Sequence, residues 1–212
     1  MFTGIVTAIG TITKVEQRGD LRLRISAPLD PARIDIGASI ACSGVCLTVV
    51  DRGALRQAQD DVGGAWFDVD VSAESVSRTR KGMWEDSATI NIEPSLRIGD
   101  ELGGHIVTGH VDSVGEVVMS KREGDSWRVA IRAKTEMAPF IAEKGSITVD
   151  GVSLTVNDVS DNADGTCDFA LNIIPHTAEV TTLGDLTQGD EVNLEIDVLA
   201  RYLKRMQSLA AG

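Results

Sequence analysis

The chain repeats itself. Gly44-Val45-Cys46-Leu47-Thr48-Val49 returns as Gly151-Val152-Ser153-Leu154-Thr155-Val156, 107 positions later, and Ser39-Ile40 returns at the same offset as Ser146-Ile147. Thr3-Gly4-Ile5-Val6 returns as Thr108-Gly109-His110-Val111 at an offset of 105, which also carries Gly10 onto Gly115. Asn91-Ile92-Glu93 maps to Asn193-Leu194-Glu195, and Gly82 to Gly184, at an offset of 102. Chance supplies one such match. Five collinear ones require a duplicated unit, and offsets that drift by a few residues are the trace of loop insertions and deletions. Whatever this chain folds into, it folds into twice, with roughly 100 residues for each copy.

Within each copy the pattern is all-β. Ile5–Ile9, Leu21–Ile25, Ser39–Cys42, Val45–Val49, Trp66–Val71, Thr89–Glu93 and Ile106–Val111 read as strands. Leu21-Arg22-Leu23-Arg24-Ile25 alternates apolar and basic, as a strand with one buried and one wet face does. Turn signals such as Arg18-Gly19-Asp20, Asp51-Arg52-Gly53 and Asp164-Gly165 separate the runs. About six strands per copy favour closure into a small barrel, which leaves no raw edges. Ser75–Arg80 and Glu136–Phe140 read as short helices. From Val198 the apolar positions Val198, Leu199, Tyr202, Leu203, Met206 and Leu209 form one helical stripe behind Asp197, a candidate N-cap. That stripe must be buried, against a second copy or against the chain's own barrel. The expected division is therefore 1–97, 98–197 and a terminal helix at 198–212.

Charge and cysteine usage narrow the partners. Asp and Glu number 32 against 20 Lys and Arg, a net charge of −12. A field of that sign repels phosphate backbones and anionic lipids, which argues against nucleic acid and membrane surfaces. No signal-peptide pattern and no long apolar run stands in the sequence. Three cysteines, Cys42, Cys46 and Cys167, cannot all pair, so the expected compartment is reducing and cytoplasmic. Cys42 and Cys46 lack further ligands at metal-binding spacing, and no metal is expected.

The positions where the copies disagree carry the chemistry. Cys46 matches Ser153, His110 matches Ile5, Asp197 matches Ser95, and Lys144 matches Gly37. A catalyst needs such imbalance between two similar pockets; a scaffold does not. On a strand Cys46 and Thr48 share one face, as do Ser153 and Thr155, and Ser39 and Ser146 bring further hydroxyls. Each residue also has a plain structural reading: Cys46 as a small hydrophobe, His110 as a structural imidazole, Asp197 as a helix cap, Lys144 as a solvated loop lysine. Cys42 is expected in the core, because the Ser43-Gly44 turn breaks its register with Cys46.

Met1-Phe2-Thr3-Gly4-Ile5-Val6, Ser43 to Val49, Gly103-Gly104-His105-Ile106-Val107-Thr108-Gly109-His110-Val111-Asp112, Asp150 to Val156, Ile174-Pro175-His176-Thr177 and Val192 to Asp197 together resemble the riboflavin synthases of the alpha-chain type. The likeness runs nearly the whole chain in order, departing only at Gln57–Gly64 and Ser77–Ser87, where this chain is longer. The resemblance implies a homotrimer of chains, each with two tandem six-stranded Greek-key β-barrels and a C-terminal helix that helps trimerise. It implies dismutation of two 6,7-dimethyl-8-ribityllumazine molecules into riboflavin and 5-amino-6-ribitylaminouracil, with no cofactor. A non-catalytic lumazine-binding or flavin-binding protein of the same fold is the alternative.

Carried onto this chain, the family pattern implies catalytic roles for Cys46, His110, Asp197, Ser39 and Thr48. Substrate contacts are implied for Phe2, Gly4, Ile5, Val6, Leu47, Gly109, Val111, Lys144, Ser153, Leu154 and Thr155. Two matching strand ends are implied to hold the ribityl hydroxyls: Asp70, Val71, Ser72, Ala73, Glu74 and Ser75 in the first copy, and Asn172, Ile173, Ile174, Pro175, His176 and Thr177 in the second.

Overall fold

The computed structural model describes residues 1–55 and 63–210. The first copy forms β1 (Ala8–Arg18), β2 (Asp20–Ala27), β3 (Ser39–Cys42), β4 (Val45–Ala54), β5 (Ala65–Val71) and β6 (Thr89–Pro94). They close in the order β1-β2-β5-β4-β3-β6, with every pairing antiparallel. The step from β2 across to β5, and the return of β6 beside β3, are Greek-key connections.

The second copy forms β7 (Ser113–Glu123), β8 (Ser126–Ala133), β9 (Ser146–Val149), β10 (Val152–Thr155), β11 (Asp158–Asp161), β12 (Cys167–Ile173) and β13 (Glu191–Ile196), in the order β10-β9-β13-β7-β8-β12-β11. The two outer members are halves of one strand, the counterpart of β4. β4 slips register between Val49 and Asp51, and the second copy breaks at the matching Val156-Asn157. Asn157 N–H still donates to Ala170 O at 2.8 Å. The six strand positions are thus kept, with one of them interrupted where a bulge already bends its twin, so that the first copy is a closed barrel and the second a half-barrel of seven strands.

Each barrel has its own apolar core. Ile12, Leu23, Ile25, Phe67 and Ile92 fill the first; Ile131, Ile147, Val149, Phe169 and Leu194 fill the second. The alternation of β2 is realised on both faces. Leu23 and Ile25 point inward, while Arg22 grips Asp70 (2.6 and 2.8 Å) and Arg24 grips Asp68 (2.7 and 2.9 Å) across the outer surface. Cys42 is fully buried, as expected.

Two expected strands are not strands. Only Ala8 and Ile9 of Ile5–Ile9 join β1, and of Ile106–Val111 only Val107 makes an isolated bridge, to Phe2. Gly4 (φ +76) and Gly109 (φ +77) turn the backbone out of the extended region, and the neighbouring N–H groups bond to carboxylates instead of a ladder. The helices also differ from expectation. α1 (Ala73–Arg78) starts before Ser75 because Ser72 caps it, accepting from Ser75 N–H at 3.1 Å. α2 (Pro175–Val180) was not anticipated and opens with Pro175 in its first turn. The segment at Glu136–Phe140 is only a 3-10 turn, Ala138–Phe140. Of the two segments of extra length, 57–62 lie outside the described residues, and Ser77–Ser87 leads from α1 through turns into β6.

The barrels meet at their matching turns, Ser43-Gly44 against Asp150-Gly151. A Cβ on Gly151 would lie 2.7 Å from Gly44 N, so only glycine allows this approach. The repeated asparagines bridge the joint reciprocally. Asn91 Nδ2 donates to Asp150 O (2.9 Å) and Asn193 Nδ2 to Ser43 O (3.0 Å). In return Asn91 Oδ1 accepts from Thr182 N–H and Asn193 Oδ1 from Arg80 N–H, both at 2.8 Å.

α3 (Val198–Ala210) does not dock on its own barrel. Leu199, Tyr202, Leu203, Met206 and Leu209 are each more than half exposed, and the helix is tied at its base by Arg201, which grips Asp112 at 2.7 and 2.9 Å. No helix among the described residues is long and apolar enough to cross a membrane.

Candidate active site

The segments that failed to become strands cross between the barrels. Gly4 O accepts from Ser153 N–H of the second barrel at 2.8 Å, and Gly109 O accepts from Cys46 N–H of the first at 2.7 Å. Val6 packs on the second core and Val111 on the first. A carboxylate anchors each crossing. Glu93 of β6 accepts from Thr3 N–H (2.7 Å), the Thr3 hydroxyl (2.9 Å) and Gly4 N–H (3.0 Å). Glu195 of β13 accepts from Thr108 N–H (2.7 Å), the Thr108 hydroxyl (2.6 Å), Gly109 N–H (3.0 Å) and His110 N–H (3.1 Å). Burial pushes both carboxyls upward from the ordinary range, and these donors pull them back.

The crossing at Gly109 completes a cleft of about 240 Å³ on the first barrel. Cys46 and Val45 form its floor, Glu74, Ser75, Arg78 and Thr79 of the α1 region one wall, and Gly109, His110 and Val111 the other. Six of the expected residues (Cys46, Glu74, Ser75, Gly109, His110 and Val111) therefore meet in one place, drawn from both copies. Thr48 follows Cys46 outward on β4, opposite Ser39 on β3, whereas Leu47 points into the core. Ser39 itself lines a smaller depression of about 140 Å³ beside Arg33 and Ser95.

The matching place on the second barrel is chemically different. Behind Cys46, Phe2 packs on Ala41 and Val107, fully buried. Behind Ser153 stands His105, whose Nδ1 lies 2.7 Å from Ser153 Oγ and whose Nε2 lies 3.3 Å from Thr148 Oγ1. An apolar patch in one barrel is thus a hydrogen-bonded imidazole in the other. Burial lowers the His105 pKa and the charge of Asp197 opposes that shift. An NMR titration should accordingly place His105 below the ordinary imidazole range, and Asp197→Asn should lower it further; an unmoved midpoint would exclude the coupling. The same Asp197 Oδ1 accepts from Leu199 N–H at 2.8 Å, so its helix-capping reading holds as geometry.

The remaining expected residues are distributed around these two places. Ile5 lies on the surface beside Thr3 and Glu93, lining a pocket of about 410 Å³ with Arg33 and Arg97. Leu154 and Thr155 continue β10 beyond Ser153, with Thr155 opposite Ser146. Val71 and Ile173 point into the cores; Ser72, Ala73, Asn172, Ile174, Pro175 and His176 are exposed around the starts of α1 and α2, with Thr177 partly covered. Asp70 is held by Arg22, which keeps its carboxyl below the usual range. Lys144 occupies a left-handed turn (φ +62), and Gly37, its match, turns the same way (φ +85).

The Lumazine binding domain pattern matches residues 3–95 and again 108–197. The riboflavin synthase of Brucella abortus (strain 2308) is 48% identical over 97% of this chain and 98% of its own length. That of Mycobacterium bovis is 42% identical over 99% of this chain and its whole length. The chain belongs to the riboflavin synthase family. Among solved structures, LumP complexed with riboflavin superposes with a TM-score of 0.72 at 25% identity, covering 92% of this chain and 99% of that one.

As a riboflavin synthase family member, the chain shows residues that its sequence pattern left unassigned. Arg78 and Thr79 line the cleft, Thr148 stands beside His105, and Glu93 and Glu195 hold the crossings. For the two glutamates a signal existed. Each is an acid inside an otherwise apolar strand, repeated in register as Asn91-Ile92-Glu93 and Asn193-Leu194-Glu195, and such an acid needs donors.

Proposed function

We propose that this chain converts two molecules of 6,7-dimethyl-8-ribityllumazine into riboflavin and 5-amino-6-ribitylaminouracil by moving a four-carbon unit from one to the other. The two products contain all the atoms of the two substrates, so no oxidant or reductant enters. The C7 methyl protons of the lumazine are acidic because the ring delocalises the carbanion. The protein has to assist that proton transfer, offer a nucleophile or donor at C7 of the partner, and press two rings together, where alignment alone is worth a large factor.

One observation carries this reading: Cys46 and His110, from different barrels, share a cleft whose counterpart on the second barrel presents Ser153, His105 and Thr148. Two related but unequal sites suit two copies of one molecule treated unequally. In this reading Cys46 and His110 act on one ring and Ser153 holds the other, with Thr48, Thr155 and Ser39 contributing hydroxyls. Gly4–Val6 and Gly109–Val111 offer backbone groups to the ring edges. The exposed ends of β5 and β12 hold ribityl chains, and Lys144 and Asp197 reach toward a neighbour.

The cleft of about 240 Å³ is smaller than the roughly 300–1,000 Å³ typical of ligand sites, which suits half of a site completed by a second chain. The uncovered stripe of α3 supplies an assembly surface, and a homotrimer with barrels at 1–97 and 98–197 and an assembly helix at 198–212 fits it. The chain's free cysteines suit a cytoplasmic setting. Sedimentation should give three chains per particle, and a turning-over monomer would refute the cross-chain site.

The second reading, a holder of lumazine or flavin without turnover, is favoured by the likeness to LumP. Incubation of the purified protein with the lumazine and a chelator separates the two. Growth of riboflavin absorbance supports the enzyme, and stable bound fluorescence without product supports the holder. Cys46→Ala is expected to slow turnover about tenfold or more with smaller loss of ligand binding. If Asp197→Ala lowers only thermal stability, with turnover per folded chain unchanged, its role is the cap alone.

A further inference from the structure

Each crossing segment has two attachments, one to a carboxylate of its own copy and one to the pocket of the other copy that it covers. The segment at Thr108–His110 is held by four donors on Glu195 of the second barrel, yet its Gly109 O lies on Cys46 N–H of the first. The segment at Thr3-Gly4 is held by Glu93 of the first barrel, yet Gly4 O lies on Ser153 N–H of the second. Neither carboxylate lines the cleft around Cys46.

We propose that Glu93 and Glu195 are positioning residues acting crosswise: Glu195 sets the Cys46–His110 pocket of the first barrel, and Glu93 sets the Ser153 pocket of the second. A carboxylate is suited to this because both oxygens accept and neither donates. Around Glu195 every contact is a donor, and a glutamine there would aim its own NH2 at N–H groups. Hydrogen bonds to a charged acceptor are also the stronger kind. His110 N–H is one of the four donors, so the backbone from which His110 enters the cleft beside Cys46 is fixed by a carboxylate outside that cleft. This assignment rests on the proposed lumazine chemistry only for its effect on turnover, not for its geometry.

Cys46 gives a readout that needs no substrate. It is the one partly exposed cysteine, Cys42 and Cys167 being buried, so iodoacetamide reports how well the 108–110 segment covers it. Glu195→Gln is expected to raise the alkylation rate of Cys46 about tenfold, as a loss of about 1.4 kcal/mol in closure would, while Glu93→Gln leaves it within twofold of wild type. Thr108→Val, which removes one donor and keeps the shape, should give a smaller rise in the same direction, and Thr108→Ser should restore the wild-type rate. These two keep the test available should Glu195→Gln fail to fold.

Turnover adds a second axis. Thr108→Val should lower kcat with KM little changed, because the ring contacts remain while His110 shifts. Equal acceleration of alkylation in Glu93→Gln and Glu195→Gln, or no acceleration in Glu195→Gln and Thr108→Val, overturns the crosswise assignment. A wild-type chain that alkylates as described but forms no riboflavin overturns the proposed reaction and leaves the positioning intact.

Discussion

Replacing Gly109 by alanine is expected to cut riboflavin formation about 100-fold, the scale on which a misplacement of about 1 Å acts on a reacting pair. The new Cβ would lie 2.7 Å from Cys46 Cβ, 2.9 Å from Cys46 N and 3.0 Å from Phe2 Cε2. Two of those atoms belong to the floor of the cleft, and the third to a fully buried ring. The segment cannot back away without giving up the Cys46 N–H bond to Gly109 O. The left-handed φ of +77 adds roughly 1 kcal/mol of strain for any L-residue. Gly124→Ala separates the two effects. It carries a similar φ of +64 but has nothing within 4 Å of an added Cβ, so it should lose some stability and keep turnover per folded chain. If Gly109→Ala turns over within threefold of wild type, the close approach to Cys46 is not needed for the chemistry.

The largest expected loss of stability comes from the joint between the barrels. Asp150 is almost fully buried and faces Arg80, with Nε to Oδ2 at 3.3 Å. That contact is ionic rather than a well-aligned hydrogen bond, since Arg80 Nε has no hydrogen-bond partner. Asp150 Oδ1 meanwhile accepts from Asn193 N–H at 2.9 Å. Arg80→Met leaves the carboxylate buried without its cation, and such half-broken pairs cost about 3–5 kcal/mol. Asp150→Asn removes the buried charge, keeps an acceptor for Asn193 and leaves Arg80, one-fifth exposed, without its anion, so it should cost less than Arg80→Met at neutral pH.

The pH dependence has a definite sign. Burial pushes the Asp150 carboxyl up to about 6 from its ordinary 3.8, against the pull of Arg80. Between those values the folded chain keeps a proton that the unfolded chain has lost. This group's contribution is therefore fullest below about pH 4 and declines as pH rises through about 6, by about 3 kcal/mol in all. Arg80→Met removes the cation that favours ionisation, so its decline should extend to higher pH. Asp150→Asn should lack this component altogether. Glu191, which lines the same depression as Arg80 and Asp150, is held below the ordinary carboxylate range by Lys81. Urea midpoints of the three proteins at pH 5 and 7.5 check both statements; Arg80→Met as stable as wild type at pH 7.5 would refute the first.

The fold was largely legible because duplication leaves two readings of one pattern. The alternation of Leu21–Ile25, the turn at Ser43-Gly44 and the stripe from Val198 each follow from local periodicity, and each is realised. The floor and one wall of the cleft were legible too, because Cys46 and His110 stand where the copies differ. What was not legible is non-local. Ile5–Ile9 and Ile106–Val111 have strand composition, but whether a segment joins a ladder or crosses a gap depends on donors and acceptors some 90 positions away, at Glu93 and Glu195. That Asp70, an expected ligand contact, also pairs with Arg22 follows from the β2–β5 register, which the sequence does not display. α2 escaped notice because Pro175 to Val180 is too short to show a stripe. His105 gained its partners Ser153 and Thr148 only through the crossing that brings residues 105 and 153 together.

The exchange of segments also bears on how the chain is made. Phe2 bonds to Val107, and Gly4 to Ser153, so the residues of the first crossing wait for partners synthesised more than 100 positions after them. Contacts of such sequence separation slow the search for the native state. They also mean that the first half, although its barrel can close early, completes its edge only when the second half arrives, and heat or urea should melt the two together rather than in turn.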